Sequence, residues 1–192
     1  MISDGPYLSG KLLLAMPSMT DPRFARAVIF LCAHDSNGAM GIVINHPMPD
    51  MKFPELLGQI KISPPAEAAK PVPDIPVMKG GPVETARGFV LHDGIYKKPD
   101  TIHVDDRFGV TGTVDALKDI ARGEGPNKIV FALGYAGWGA GQLDKELQEN
   151  AWLSVDADPT LVFDTAAADK WDKAFKSLGV DPGMLSGTAG RA

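Results

Sequence analysis

The sequence predicts an α+β fold built on a mixed sheet, and three observations carry that reading. Two apolar runs, Ala27–His34 (AVIFLCAH) and Met40–Asn45 (MGIVIN), flank Ser36-Asn37-Gly38, a sequence suited to the left-handed conformations of a tight hairpin. Strand and helix patterns then follow one another without a βαβ rhythm, which disfavours a doubly wound sheet. Finally, the apolar run Ile129–Leu133 leads through Gly134, Gly137, Gly139 and Gly141 into a helical pattern with Leu143 and Leu147 on one face.

Taken in order, residues 1–10 are polar and rich in Gly and Pro, which predicts a flexible arm. Leu12–Met16 reads as a first buried strand stopped by Pro17. Asp21-Pro22 suits a helix N-cap followed by Pro at the first helical position, giving a turn or two around Phe24. Ala27–His34 is apolar on both faces and so belongs at the centre of the sheet, with Met40–Asn45 returning beside it until His46-Pro47. Phe53–Ile60 predicts a short helix burying Leu56, Leu57 and Ile60. The Pro/Ala-rich stretch 61–76 predicts a long surface loop.

Val77–Lys79, Gly88–His92, Thr101–Val104 and Phe108–Thr111 read as strands, with a tight turn at Gly80-Gly81-Pro82. Thr113 is placed to cap a helix over Val114–Ala121, with Val114, Leu117 and Ile120 inward and Gly123 closing it. The glycines after Leu133 predict a corner into the next helix, either holding an anion at the helix start or packing beneath Trp138 and Trp152; packing is favoured. Trp152–Val155 and Leu161–Phe163 read as strands. Asp164 or Thr165 then caps a last helix whose stripe is Trp171, Ala174, Phe175 and Leu178.

Composition bounds the function. The 192 residues fit one domain, 1–192, large enough to bury about 70% of its unfolded surface without a staple. A net charge of −5 and the absence of any Lys/Arg run argue against strong direct binding to nucleic acid or to an anionic membrane. The single Cys32 leaves no intramolecular disulfide and suits a reducing cytoplasm, and the N-terminal stretch resembles neither a signal peptide nor a membrane span. A cytoplasmic location is therefore expected.

Two constellations could carry chemistry. Cys32 and His34 stand two apart on one strand, which would put nucleophile and base on the same face, although a buried Cys is more often a small hydrophobe. The strand rims gather Asn45, His46, Gly80, Gly81, Arg87, Gly134 and Tyr135. If these converge, they form a small polar pocket for an anionic ligand, with the Arg87 fork as its anchor. The alternative is that each glycine serves a turn and Arg87 an ion pair. His34, His46, His92 and His103 lack metal-ligand spacing, so neither a metal nor a cofactor is expected. Lys170, Lys173 and Lys176 line one side of the last helix with Asp169 and Asp172 between them, which reads as a solvated face.

The blocks LLLAMPSMTDPRFARAVIFLCAHDSNGAMGIVINHP, GGPVETARGFVLH, ALGYAGWGAGQLDKELQENAWL and FDTAAADKWDKAFKSLGV resemble, in this order, the signature of the bacterial YqgE/AlgH family. The resemblance implies a strongly bent, mixed and largely antiparallel sheet, partly closed into a small barrel and flanked by helices. It carries a transcriptional-regulator label and implies no reaction. The regulation expected is indirect, through a small anionic ligand or a protein partner. The Cys32 enzyme and a DNA-binding regulator remain the alternatives. Positions matching the family pattern include Asp21, Phe24, Cys32, Asn45, Gly81, Arg87, Trp138, Gln142 and Trp152.

Overall fold

The β-strand Ile129–Gly139 is the spine of the molecule, because three other strands pair along it. A computed structural model of the chain describes residues 7–185. The first six residues of the expected arm and the tail from residue 186 lie outside the described residues. The strands are β1 Lys11–Ala15, β2 Val28–Asp35, β3 Gly38–Val43, β4 Pro47–Lys52, β5 Pro76–Lys79, β6 Val83–Asp93, β7 Ile102–His103, β8 Phe108–Thr111, β9 Ile129–Gly139 and β10 Trp152–Asp156. They form one sheet in the order β10-β1-β2-β3-β9-β6-β8-β7. β5 joins β9 in parallel and carries β4 antiparallel on its far side. Every other pairing is antiparallel, so the sheet is mixed and largely antiparallel, and it curls into a half-barrel.

Alternation along the strands divides the interior into three cores. Leu12, Phe30, Ile42, Leu91, Phe108 and Ala132 fill the inside of the curl. It is plugged by the helix α4, Ala167–Ser177, through Trp171, Ala174 and Phe175. Trp171 also donates its indole N–H to the Ala15 carbonyl at 2.9 Å. On the outer face, Leu13, Ile29, Leu31, Val43 and Trp138 lie under α3, Gln142–Gln148, which inserts Leu143. Further along that face, Val77, Val90 and Phe131 are covered by α1, Phe53–Gln59, and α2, Val114–Arg122. α2 presents Ala116, Leu117, Ile120 and Ala121 to this third core and ends at Gly123, whose φ of 77° is the left-handed conformation of a C-cap.

Several expectations are corrected. Of the glycines after Leu133, only Gly141, with φ of 70°, turns the chain; Gly134, Gly137 and Gly139 do not. β9 runs through them to Gly139, pairing Ala136–Gly139 with Gly38–Gly41, and only Ala140-Gly141 separate it from α3. The strand beginning at Met40 gives way to another, β4, at Pro47; an edge position tolerates Pro47 and Pro49. Thr160–Asp164 is a π-helical turn rather than a strand, because a three-residue apolar run has no period to read. Val114, Ile60 and Leu178 sit at helix ends and are 54%, 43% and 42% exposed, where the apolar stripe has rotated off the core. Neither Asp164 nor Thr165 caps α4, which begins after Ala166, and the Thr113 side chain makes no cap hydrogen bond. Residues 7–10, at the end of the expected arm, are bound to β2: Gly10 N–H donates to Leu31 O at 2.8 Å, and His34 N–H to Ser9 Oγ at 2.9 Å.

Candidate functional site

The pairing register decides the fate of Cys32 and His34. Between Leu31 and Ala33 the β2–β3 ladder slips by one residue, so that Ala33 lies opposite Met40 and His34 opposite Ala39. Cross-strand partners share a face. Met40 packs on the inner core and Ala39 on the outer one, so His34 points outward while Cys32 points inward. The bulge thus separates the two side chains that simple alternation would put together. Cys32 is buried, and burial pushes its thiol up to about 12, well away from a reactive thiolate. His34 Nδ1 accepts from Leu8 N–H at 3.1 Å, and its Nε2 stands 3.7 Å from Asp144.

The rim constellation also divides between two faces. Arg87 lies 5.0 Å from the Phe89 ring, and Phe89 meets Tyr135 edge-on at 5.8 Å, all on the inner face. The Arg87 guanidinium pairs loosely with Glu84 at 3.5 Å. Asn45 is consumed structurally: its Oδ1 accepts from Val28 N–H and its Nδ2 donates to Arg26 O, each at 2.8 Å. Gly80, Gly81 and Gly134 let β5, β6 and β9 cross in contact. A Cβ on Gly81 would stand 2.1 Å from the Tyr135 carbonyl carbon, and one on Gly134 2.5 Å from the Gly81 oxygen. Of the seven residues, only His46 and Gly81 line a common cavity.

That cavity, about 630 Å³, lies on the outer face between the second and third cores. Pro22, Pro47, Met48, Pro82 and Leu133 make its apolar walls, and Arg23, His46 and Lys79 supply its nitrogen groups. Arg23 is held by Asp21, Nη2 to Oδ2 at 2.7 Å and Nε to Oδ1 at 3.1 Å. Lys79 has no carboxylate partner among the described residues, so it is the cavity's uncompensated cation. His46 has an imidazole nitrogen, Nε2, 3.0 Å from Ala25 O. Burial, with Lys79 adding to it, holds the ring below its ordinary pKa against the opposing pull of that carbonyl.

Past Arg23 and Pro82 the groove continues as a cleft of about 420 Å³ floored by Trp138 and Trp152. Both indoles donate to one oxygen of Glu146, at 2.9 and 2.8 Å. The other oxygen accepts from Gln142 Nε2 at 3.0 Å, and Gln142 Oε1 accepts from Gly139 N–H at 3.0 Å. The packing alternative for this corner is the arrangement found, with Glu146 as a further participant not named from the sequence. Its signal was available: Gln142 and Glu146 are four apart on α3, directly after a Gly-Trp-Gly strand end. Lys79 was missed because a lone lysine beside Gly-Gly-Pro carries no pattern.

The sequence pattern described as AlgH-like matches residues 12–183. The chain belongs to the AlgH-like family. A UPF0301 protein of Rhodospirillum rubrum is 53% identical over 186 residues, covering 97% of this chain and 95% of its own. Another, from Jannaschia sp., is also 53% identical over 187 residues, covering 96% and 95%. The solution structure of AlgH from Pseudomonas aeruginosa superposes over the whole of both chains with a TM-score of 0.77 at 42% identity. A crystal structure of a Corynebacterium diphtheriae protein shares the fold at 18% identity, with a TM-score of 0.71 over 92% of this chain and 90% of that one. Of the positions set against the family signature from the sequence alone, Asp21, Phe24, Gly81, Trp138, Gln142 and Trp152 line the outer groove. Cys32 and Arg87 do not. Among the described residues no helix is long and apolar enough to cross a membrane.

Proposed function

We propose that this AlgH-like protein is a non-catalytic receptor whose outer groove takes a small anionic ligand with an apolar body. Lys79 carries this reading. It is an uncompensated cation at the rim of an apolar-walled cavity, beside a His46 that gains charge as pH falls. Arg87, the anchor expected from the sequence, is replaced in that role by Lys79. A carboxylate or phosphate on Lys79 would leave the ligand's apolar part against Met48 and Leu133.

Any influence on transcription then runs through the liganded protein and not through DNA. The net charge is −5, and the α4 lysines are interleaved with Asp169 and Asp172, of which Asp172 is engaged by Arg26 at 2.9 Å. The test is a thermal-shift screen of phosphorylated metabolites and small carboxylates against wild type and Lys79→Glu. A stabilising compound lost in Lys79→Glu places the ligand in the groove. Equal stabilisation of both proteins removes the groove from the function, and a flat screen shifts the reading to a protein partner.

A further inference from the structure

Lys170 is the least explained charged group in the molecule. The sequence puts it on a solvated lysine stripe, yet in the folded chain it is only 3% exposed. The π-helical turn Thr160–Asp164 and the strand β5 close over the start of α4, and Lys170 is left lining a separate cavity of about 280 Å³. The apolar walls include Ile75, Met78, Ile129, Val130 and Phe163, with Ala166 and Ala167 at the base of α4, and Thr165 is the one other polar side chain in the lining. Among the described residues the Lys170 ammonium has a single acceptor, the Ile44 carbonyl at 3.1 Å.

An ammonium carries three donors. Two of them have no protein acceptor here, and no other charged side chain lines the cavity. At the cavity's edge, Lys128 and Asp164 neutralise each other in an ion pair that joins the segments supplying Ile129 and Phe163. A buried cation without a counter-ion is costly, and proteins ordinarily pair it, neutralise it or let a ligand complete it. The cavity has room for roughly nine water-sized volumes at ~30 Å³ each, yet most of its lining is hydrocarbon, with Thr165 the one polar side chain besides Lys170. The apolar share of its lining is the larger, and it suits a hydrocarbon tail.

We propose that this cavity is a binding site for a small apolar monocarboxylate, a short branched or linear fatty acid, whose carboxylate pairs with Lys170 while its tail lies against Ile75, Met78, Ile129 and Phe163. The site is distinct from the outer groove: it shares no lining residue with it and draws on a different lysine. The carboxylate supplies the missing counter-ion and the two missing acceptors, and the tail displaces solvent from apolar wall. Burial already depresses the Lys170 ammonium to about 8, so a bound anion would raise it again.

Isovalerate is the probe and 3-methylbutan-1-ol its uncharged counterpart. Titration followed by methyl NMR should move the methyl signals of Ile75, Met78, Ile129 and Val130 with isovalerate, with a dissociation constant on the order of 1 mM for so small a ligand. The alcohol should bind at least roughly tenfold more weakly, and Lys170→Met should lose the preference for the acid. Lys79→Glu should leave the titration unchanged, which separates this site from the outer groove. Absence of shifts at those methyls in wild type overturns the proposal, and that measurement needs no variant to fold. Equal affinity for acid and alcohol, or unchanged acid binding in Lys170→Met, overturns the pairing with Lys170.

Discussion

Trp138 at the end of β9 and Trp152 at the start of β10 donate their indole N–H groups to the same carboxylate oxygen of Glu146, with their rings edge-to-face at 6.0 Å. The contact ties α3 to two strands that are not neighbours in the sheet. It also fixes the floor of the narrower part of the groove. Hydrogen bonds to a charged acceptor contribute more than neutral ones, and removing the acceptor strands both donors.

Glu146→Ala is therefore expected to destabilise the protein by roughly 2–4 kcal/mol. That corresponds to a fall in Tm on the order of 5–15 °C for a chain of this size. The near-UV circular dichroism of the tryptophans should weaken in the native state. Glu149→Ala, one turn further along and exposed, should stay within about 0.5 kcal/mol of wild type in the same denaturant titration. A Glu146→Ala protein as stable as Glu149→Ala would show that the two indoles find other partners and that the clasp is incidental.

Gly81 and Gly141 separate two reasons for a glycine. Gly81 has φ of 155°, and a Cβ there would lie 2.1 Å from the Tyr135 carbonyl carbon, where only backbone could move aside. Gly141 has φ of 70° with nothing within 4 Å of the added carbon. Gly141→Ala should cost about 1 kcal/mol, the strain of a left-handed alanine. Gly81→Ala should cost on the order of 4 kcal/mol or leave little folded protein, because β6 and β9 must separate. Chemical denaturation of both variants decides this; similar midpoints would mean that the crossing has slack.

How much of this was legible in the sequence depends on the range of the information. The hairpin of β2 and β3 could be read because Asn37-Gly38 and two apolar runs settle it locally. The bulge at Cys32 could not, since alternation counts residues along one strand and says nothing of slips against its partner. Glycines 134, 137 and 139 read as breakers, yet β9 runs through all three, and Gly134 lets it pass close under Gly80 and Gly81, a long-range requirement. Likewise, Lys170 falls on a polar helical stripe, and only the fold reveals that β5 and the π-helical turn cover it. Of the rim residues, position along the strands was readable, but the face each one takes beyond a bulge was not.

His92 links stability to acidity. Fully buried, it is hydrogen-bonded at both ring nitrogens, Nδ1 to Asp93 O at 2.7 Å and Nε2 to Thr111 Oγ1 at 2.9 Å, and Thr111 is joined to Thr101 at 2.7 Å. Nδ1–H can donate only to the carbonyl, so Nε2 accepts from the Thr111 hydroxyl and the ring is satisfied when neutral. Burial holds its pKa below the ordinary value; the Asp93 carbonyl and carboxylate oppose the shift, and His103 adds to it. The unfolded chain then binds more protons than the native one below about pH 6.5. Stability is fully present above that pH and falls as the pH drops through the depressed native value, with a slope of at most about 1.4 kcal/mol per unit for one proton. His92→Gln should remove this part of the acid slope and leave a remainder from His46, which is shifted in the same direction. Denaturant midpoints between pH 7 and 5 measure the difference, and parallel curves for wild type and His92→Gln would exclude His92 as the source.

Lys170 gives the opposite end of the pH scale. Its ammonium is depressed by burial to about 8, against an ordinary 10.5, so between those values the unfolded chain holds a proton that the native chain has released. Stability attributable to this group therefore rises with pH across that window, by roughly 3 kcal/mol at about 1.4 kcal/mol per unit, and is lost as the pH falls back through 8. Lys170→Met keeps most of the unbranched stem in its apolar surroundings and removes the charge. Near pH 7 it should be more stable than wild type by up to that amount, and the advantage should shrink steadily toward pH 10.5. Urea denaturation of the two proteins across this range reads the difference directly, because alkaline effects from every other group cancel in the comparison. A Lys170→Met protein less stable than wild type at pH 7 would mean that the amine makes a net favourable contact with Ile44 O and is no uncompensated charge. It would remove the physical basis for a carboxylate completing the site.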